Sequence, residues 1–576
     1  MAIKRYFATG DTSITDAYKP NLSTRATDSN MGLADSLEIF TIYGQASTTS
    51  REKERILVKF PADAVKEDFD AGEFPDTAKF YLRLFNVKHT GTTPKQFTLE
   101  VYKLSKSFDE GTGVDLDDYT DTGAANWITA SLDKIPASGS FTIVTSPVSG
   151  AAFTASVGSY TAATIAGASS TFSAINLESA LNANSDITNL VLVSQNSNVV
   201  SLTAVTSGTV GNLVAISIDP TGSDGSGAIS GSGNFLSGGL DYTLWATPGG
   251  DTTGSVLGSA YFENGNEDMV VDITSEVLTW LTASSNDKGL LIRHTTRVET
   301  ELTESYYTKK FSARGSEFFF SRPVLEVRWD SAEQDDRSNF YSQSNLFAVG
   351  STYNQNTLNL YNRVYGSLVD LRGDTTLVPS ASFYADSALT DLLTPEAITV
   401  TREATGSYKT VVELSTTAST IYEKWTHPDT ASMVFFTGAI DVNQRVASNT
   451  NKENQYVINI TNLQDKYSPS ETSRFRLYTR LKDWSPTIYT VANTDIETEI
   501  IKNAYYKVFR VVDNLDIIDF GTGSVEYTKL SYDKDGSYFD LDINMFEQGY
   551  AYGIQFSFFI SGKYENQPEI FKFRVE

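Results

Sequence analysis

Phe97-Thr-Leu-Glu-Val-Tyr-Lys-Leu104 is the stretch from which the fold can be read outward. Its apolar and polar side chains alternate, the period of two that puts one face of a β-strand in a core and the other in water. The same period recurs upstream in Ser36-Leu-Glu-Ile-Phe-Thr-Ile-Tyr43, Arg55-Ile-Leu-Val-Lys-Phe60 and Lys79-Phe-Tyr-Leu-Arg-Leu-Phe-Asn-Val87. The acidic segment from Pro61 to Pro75 reads as a loop between two of these strands. Residues 1–35 are polar and strand-poor, and read as an extended N-terminal arm expected to lie along a neighbouring subunit.

The texture changes at Gly139. Residues 139–240 are rich in Ala, Ser, Thr and Gly and poor in charge. Phe172, Ile175, Ala180 and Leu181 fall near helical spacing, which predicts a helix over about Thr171–Asn182. The runs 189–193, 199–205 and 213–218 read as strands, and the Gly/Ser tract from Gly222 to Gly239 as a flexible connector. This segment is expected to be a small α+β module inserted in a sandwich formed by 36–138 and 241–330. After it the earlier strand texture returns, in Met269-Val-Val-Asp-Ile-Thr-Ser-Glu-Val-Leu-Thr-Trp-Leu281 and beyond. A polar linker follows at 331–345, then a β-sandwich at 346–450 and an Ig-like one at 451–576. Asp535-Gly536 marks a hairpin within Leu530–Leu541. The expected class is mainly β: chained sandwiches carrying one α+β insert.

Composition supports this and narrows the function. A chain of 576 residues exceeds what one core can organise. Its 30 Tyr and 33 Phe suit pleated, half-buried surfaces. The net charge of −26, with no Lys/Arg cluster, argues against a nucleic-acid partner. No cysteine is present, which removes disulfides, thiolate nucleophiles and Cys-ligated zinc. No leader and no run of about 18 apolar residues is seen, so neither export nor a membrane partner is expected.

Chemistry is sparse. His89, His294 and His427 stand alone, away from any ligand or triad spacing, and read as surface or loop residues. No phosphate-cradling glycine motif occurs, and paired carboxylates cannot be placed across a cleft from sequence. No catalytic residue, no cofactor and no enzyme activity is therefore expected. Asp115, Asp117, Asp118 and Asp121 put four carboxylates in seven residues and are the candidate calcium ligands. Asp533-Lys-Asp-Gly reads as a turn. Trp127, Trp245, Trp280, Trp329, Trp425 and Trp484 are candidates to stack on sugars, with core packing the plainer reading.

Seven blocks occur in a recognisable order: Arg55–Phe60, Ala78–Leu84, Val101–Gly111, Val271–Trp280, Gly289–Arg293, Phe311–Glu317 and Arg322–Val327. This series resembles the DNRLRE-type β-sandwich module, a carbohydrate-binding-module-like domain. Phe108 stands where that family has a Trp before its Glu-Gly, and residues 139–240 interrupt the module. The interruption, through Asn176–Asn184 and Val200–Asn212, is similar to small modules embedded in phage tail and sheath proteins. Tyr456–Tyr467, Arg474–Tyr478, Lys482–Tyr489, Tyr505–Asp513 and Gln567–Val575 resemble the C-terminal part of marine-phage virion proteins. The resemblance implies a non-enzymatic structural protein of a tailed-bacteriophage virion (neck, tail or baseplate), made in the host cytoplasm. Its partners would be other virion proteins and copies of itself in a symmetric ring. The alternative is an adhesin that binds a host-surface glycan. A polysaccharide-degrading enzyme ranks last, because the β-helix period is absent.

Overall fold

Arg51–Lys59, Phe97–Leu104 and Leu290–His294 form the middle of the largest sheet. Phe97–Leu104 buries mostly alternate residues, whereas Ile56–Val58 and Leu290–Ile292 are buried in unbroken apolar runs, as strands covered on both faces are. The computed structural model describes residues 2–88, 93–116, 120, 124–145, 149–219, 227–230, 234–303, 306–449, 454–484 and 498–576. The chain is mainly β and divides into two units. An N-terminal unit holds residues 5–73 and 80–326. A C-terminal unit holds 327–576 with residues 1–4 and 74–79.

In the N-terminal unit a seven-stranded sheet runs in the order Thr252–Phe262, Phe97–Leu104, Leu290–His294, Arg51–Lys59, Ser36–Tyr43, Tyr306–Ser312, with Gly10–Thr15 also on Arg51–Lys59. Gly10 pairs with Lys59 and Thr15 with Glu54. Residues 1–35 are therefore no free arm. Gly10–Thr15 is buried along its whole length. Its hydroxyls are satisfied by carbonyls, Ser13 Oγ donating to Glu38 O (2.9 Å) and Thr15 Oγ1 to Lys53 O (2.9 Å). A polar strand can thus be interior without cost from unpaired groups.

Two further expectations need correction here. The supposed loop after Pro61 holds a helix, Ala62–Asp70, which buries Ala62 and Val65. The run 269–281 splits into a strand, Met269–Asp272, and a helix, Thr274–Thr282. That helix buries Val277, Trp280 and Leu281, and Trp280 Nε1 donates to Glu276 Oε1 one turn back (2.9 Å).

A separate apolar cluster begins at Ala137 and ends at Leu236. Around it stand two small sheets, ordered Tyr160–Ile165, Ala152–Val157, Ile216–Asp219 and Val191–Asn196, Val199–Ala204, Ser138–Ile143, Gly227–Ser230. The helix Ser170–Asn182 packs between them, capped by Ser169, a contribution of about 1 kcal/mol. Its buried face is Ala174, Leu177 and Leu181, while Phe172 and Ile175, expected in the core, are exposed. The Gly/Ser tract is more than a connector, since Gly227–Ser230 pairs with Ser138–Ile143.

The C-terminal unit contains two pairs of sheets. In the first, Phe340–Tyr341, Val434–Asn443, Thr420–Thr426, Ser380–Tyr384 and Leu392–Leu393 form one layer. Asn356–Tyr361, Ser407–Glu413 and Ala397–Ala404 form the other. The expected linker contributes to this sandwich, because Phe340 is fully buried and Asp335 and Asp336 lie in its interior. In the second pair the layers meet through aromatic rings: Tyr506 on Phe539 (4.2 Å) and Phe475 against Phe573 (6.1 Å). The hairpin forms with Asp533 opposite Gly536. The turn is thus Lys534-Asp535, one residue earlier than read, and Gly536 takes φ +110°, which a side chain would resist.

Candidate functional site

Of the candidate calcium ligands, Asp115 lies in a bend outside any helix or strand, and Asp117, Asp118 and Asp121 fall outside the described residues. Among the described residues no group of three or more His, Cys, Asp or Glu could hold a metal. His89 also lies outside them. His294 is not the surface residue expected. It is fully buried beside Phe97 (5.6 Å) and Tyr307 (5.9 Å), and neither ring nitrogen meets a hydrogen-bond partner among the described residues. Desolvation pushes its pKa down to about 3, so the ring stays neutral. His427 accepts the Asp429 N–H at Nδ1 (3.2 Å), a local turn contact.

Five of the six tryptophans are buried, which leaves Trp484, 37% exposed, as the sole one able to offer its ring to a ligand among the described residues. Trp245 Nε1 donates to Asn126 O (2.9 Å) and Trp425 Nε1 to Glu423 Oε2 (2.7 Å), the satisfied pattern of core tryptophan.

Two features of the C-terminal unit were not visible as motifs. The first is an open sheet edge. Ala397–Ala404 pairs with Ser407–Glu413 on one side, and no described strand lies on the other. All eight of its residues are exposed or half-buried, Ile398 at 40%. From Ala397 to Thr401 it carries no charge and no proline. Its backbone N–H and C=O groups are thus presented to any incoming strand, without the Lys or Pro that guards many sheet edges. Val434–Asn443 is a second edge of the same kind, since Phe340–Tyr341 covers it at Val442 and Asn443 alone.

The second is a cleft of about 570 Å³ against the outer face of the same three-stranded sheet. Thr357, Asn359 and Tyr361 point into it from one strand, alternating with buried Asn356, Leu358 and Leu360. Ser407 and Lys409 come from the next strand, flanking buried Tyr408. The segment Trp329–Gln334 and Lys529 form the opposite wall. Glu333 fixes the floor, accepting from the hydroxyls of Tyr361 (3.1 Å) and Tyr538 (3.2 Å). Burial, then the Glu333 charge, raises both tyrosines well above their ordinary range. Both hydroxyls therefore remain protonated donors at neutral pH.

No family model matches the chain. No curated protein matches it in sequence. Among solved structures, the Yersinia pseudotuberculosis adhesin InvE is 14% identical over 38% of this chain and 54% of that one, with a TM-score of 0.13. A marsupial T cell receptor is 9% identical over 41% of this chain and 70% of that one, at 0.14. The chain thus spans about half the length of the adhesin, and both scores are too low to bear on function.

Proposed function

We propose that the chain is a structural subunit of a tailed-bacteriophage particle, in the neck, tail or baseplate. It works through protein–protein contacts with other virion proteins and with copies of itself in a symmetric ring. The observation that carries this reading is the open edge at Ala397–Ala404, uncharged from Ala397 to Thr401. Such an edge gives main-chain hydrogen bonds to a partner strand and so joins subunits with few specific side chains. The resemblance of residues 36–138 and 241–330 to the DNRLRE-type module, and of 346–576 to virion proteins, supports the same reading. The second reading, a glycan-binding adhesin, would use the polar cleft as its sugar-binding surface.

Light scattering with negative-stain imaging of the full chain, alone and mixed with purified neck, tail and baseplate proteins, tests the assembly role. A ring, or a complex with those components, is expected. Ile398→Lys, which places a charge on the open edge, should weaken that association by at least about tenfold. A monomer that ignores every virion component would sink the proposal.

A further inference from the structure

We infer that the cleft against the Asn356–Tyr361, Ser407–Glu413 and Ala397–Ala404 sheet binds a neutral oligosaccharide. The inference goes beyond the assembly role and stands whether or not that role holds. The volume, about 570 Å³, lies within the range of small-ligand pockets. The class of ligand follows from what the walls carry.

Three carboxylates line the cleft, Asp330, Glu333 and Glu403, against two ammonium groups, Lys409 and Lys529. Lys529 is already paired with Glu526 (2.7 Å). A polyphosphate or a polyuronate would meet more negative than positive charge here, on a chain of net charge −26. An apolar peptide side chain would strip water from these groups without pairing them. A polyhydroxylated ligand suits both signs, because each sugar hydroxyl can donate to a carboxylate and accept from an ammonium or amide.

The spacing agrees. Asn359 lies opposite Lys409, and Lys409 opposite Thr401, on three adjacent strands. Neighbouring strands are about 4.8 Å apart, so the Asn359 amide and the Lys409 ammonium, which both line the cleft, are separated by a step on the scale of one pyranose ring. Among the described residues Lys409 has no carboxylate partner, which leaves its ammonium for a ligand oxygen. Tyr361 stands at the mouth with 36% of its surface exposed, and its hydroxyl is anchored on Glu333. The Arg363 guanidinium lies 6.0 Å from the ring centroid, and the exposed part of the ring is apolar surface that the C–H groups of a sugar can meet. Asn359 is anchored as well, Nδ2 donating to Gln334 O (2.8 Å), which keeps its amide oxygen free to accept. A lining held in place before binding lowers the entropy cost of recognition.

The test titrates the full chain with maltohexaose, cellohexaose, laminarihexaose and mannohexaose, followed by saturation-transfer NMR and calorimetry. Saturable binding of at least one is expected. Asn359→Ala and Lys409→Ala should each weaken it about tenfold with an unchanged thermal unfolding curve. Trp484→Ala should leave it unchanged. A hexauronate is titrated beside them as the anionic control. Three results overturn the proposal: no saturable binding of any of the four neutral hexaoses, binding lost in Trp484→Ala but kept in the cleft variants, or binding of the hexauronate alone.

Discussion

The insert and the first sandwich of the C-terminal unit are both small β-rich bodies, yet their interiors are specified by opposite means. The insert is closed by Phe141, Phe153, Leu177, Leu202 and a set of alanines, and Ser173 is the one buried polar side chain among its described residues. The sandwich of residues 340–443 has a comparable apolar cluster around Trp425, but charge runs through it. Arg337 makes a two-armed pair with Glu423 (2.6 and 2.9 Å), also binds Asp335, and donates to Asn359 O (2.7 Å). Asp336 accepts from Thr357 N (2.8 Å) and Lys502 Nζ (2.7 Å), and Glu413 from Gly350 N (2.8 Å) and Asn354 Nδ2 (3.1 Å). The difference teaches that a core of methyl groups tolerates many arrangements of similar volume. A core crossed by ions admits few, since each misplacement strands a charge.

This contrast can be broken in four places. Arg337→Ala should cost most, about 4 kcal/mol, because Glu423 and Asp335 would remain buried without their cation. Urea unfolding followed by hydrogen exchange in residues 340–443 measures it, and a loss below about 1 kcal/mol would mean the ions are solvated. Leu177→Ala in the insert should cost about 3 kcal/mol by opening a cavity, read as faster hydrogen exchange in residues 137–219 alone.

Acid should separate the two bodies next. Hydrogen bonds from Arg402, and then from Gly406 N–H, hold the Asp370 carboxyl down at about 2, against about 3.9 in an unfolded chain. Its contribution is therefore complete above about pH 4 and fades as pH falls through 2. Asp370→Asn should flatten that part of the sandwich's pH profile, whereas exchange in the insert should not follow it. The smallest effect belongs to Phe172→Ser, within about 0.5 kcal/mol, since that ring is solvent-facing. A loss comparable to that of Leu177→Ala would restore Phe172 to the core face.

Phe172 also marks the limit of what could be read from the chain. Its spacing announced a helix, and Ser170–Asn182 is one, but periodicity could not choose between the Phe172/Ile175 face and the Ala174/Leu177/Leu181 face. Neighbouring strands made that choice. Strand texture was legible wherever one face meets water, as in Phe97–Leu104 and Ser407–Glu413. It failed at Gly10–Thr15, where buried hydroxyls depend on carbonyls of Glu38 and Lys53 far along the chain. The helix after Pro61 did carry a signal, a proline directly before its first residue, that its acidic composition obscured. The cleft could not be anticipated, because its walls come from residues near 330, 360, 405 and 529, each unremarkable alone.

One detail of the insert concerns how such chains are assembled over time. Its two ends leave the host side by side: Ile135 and Leu240 exchange both backbone hydrogen bonds (2.9 and 3.1 Å), and Ser138 faces Ser237. The host therefore experiences a closed hairpin, whatever lies beyond it, and the entropy of closing that loop is met at the stem. Positions 139–236 are in effect a socket. An unrelated domain with adjacent termini can be exchanged into it, by recombination or by design, while the seven-stranded sheet keeps its register.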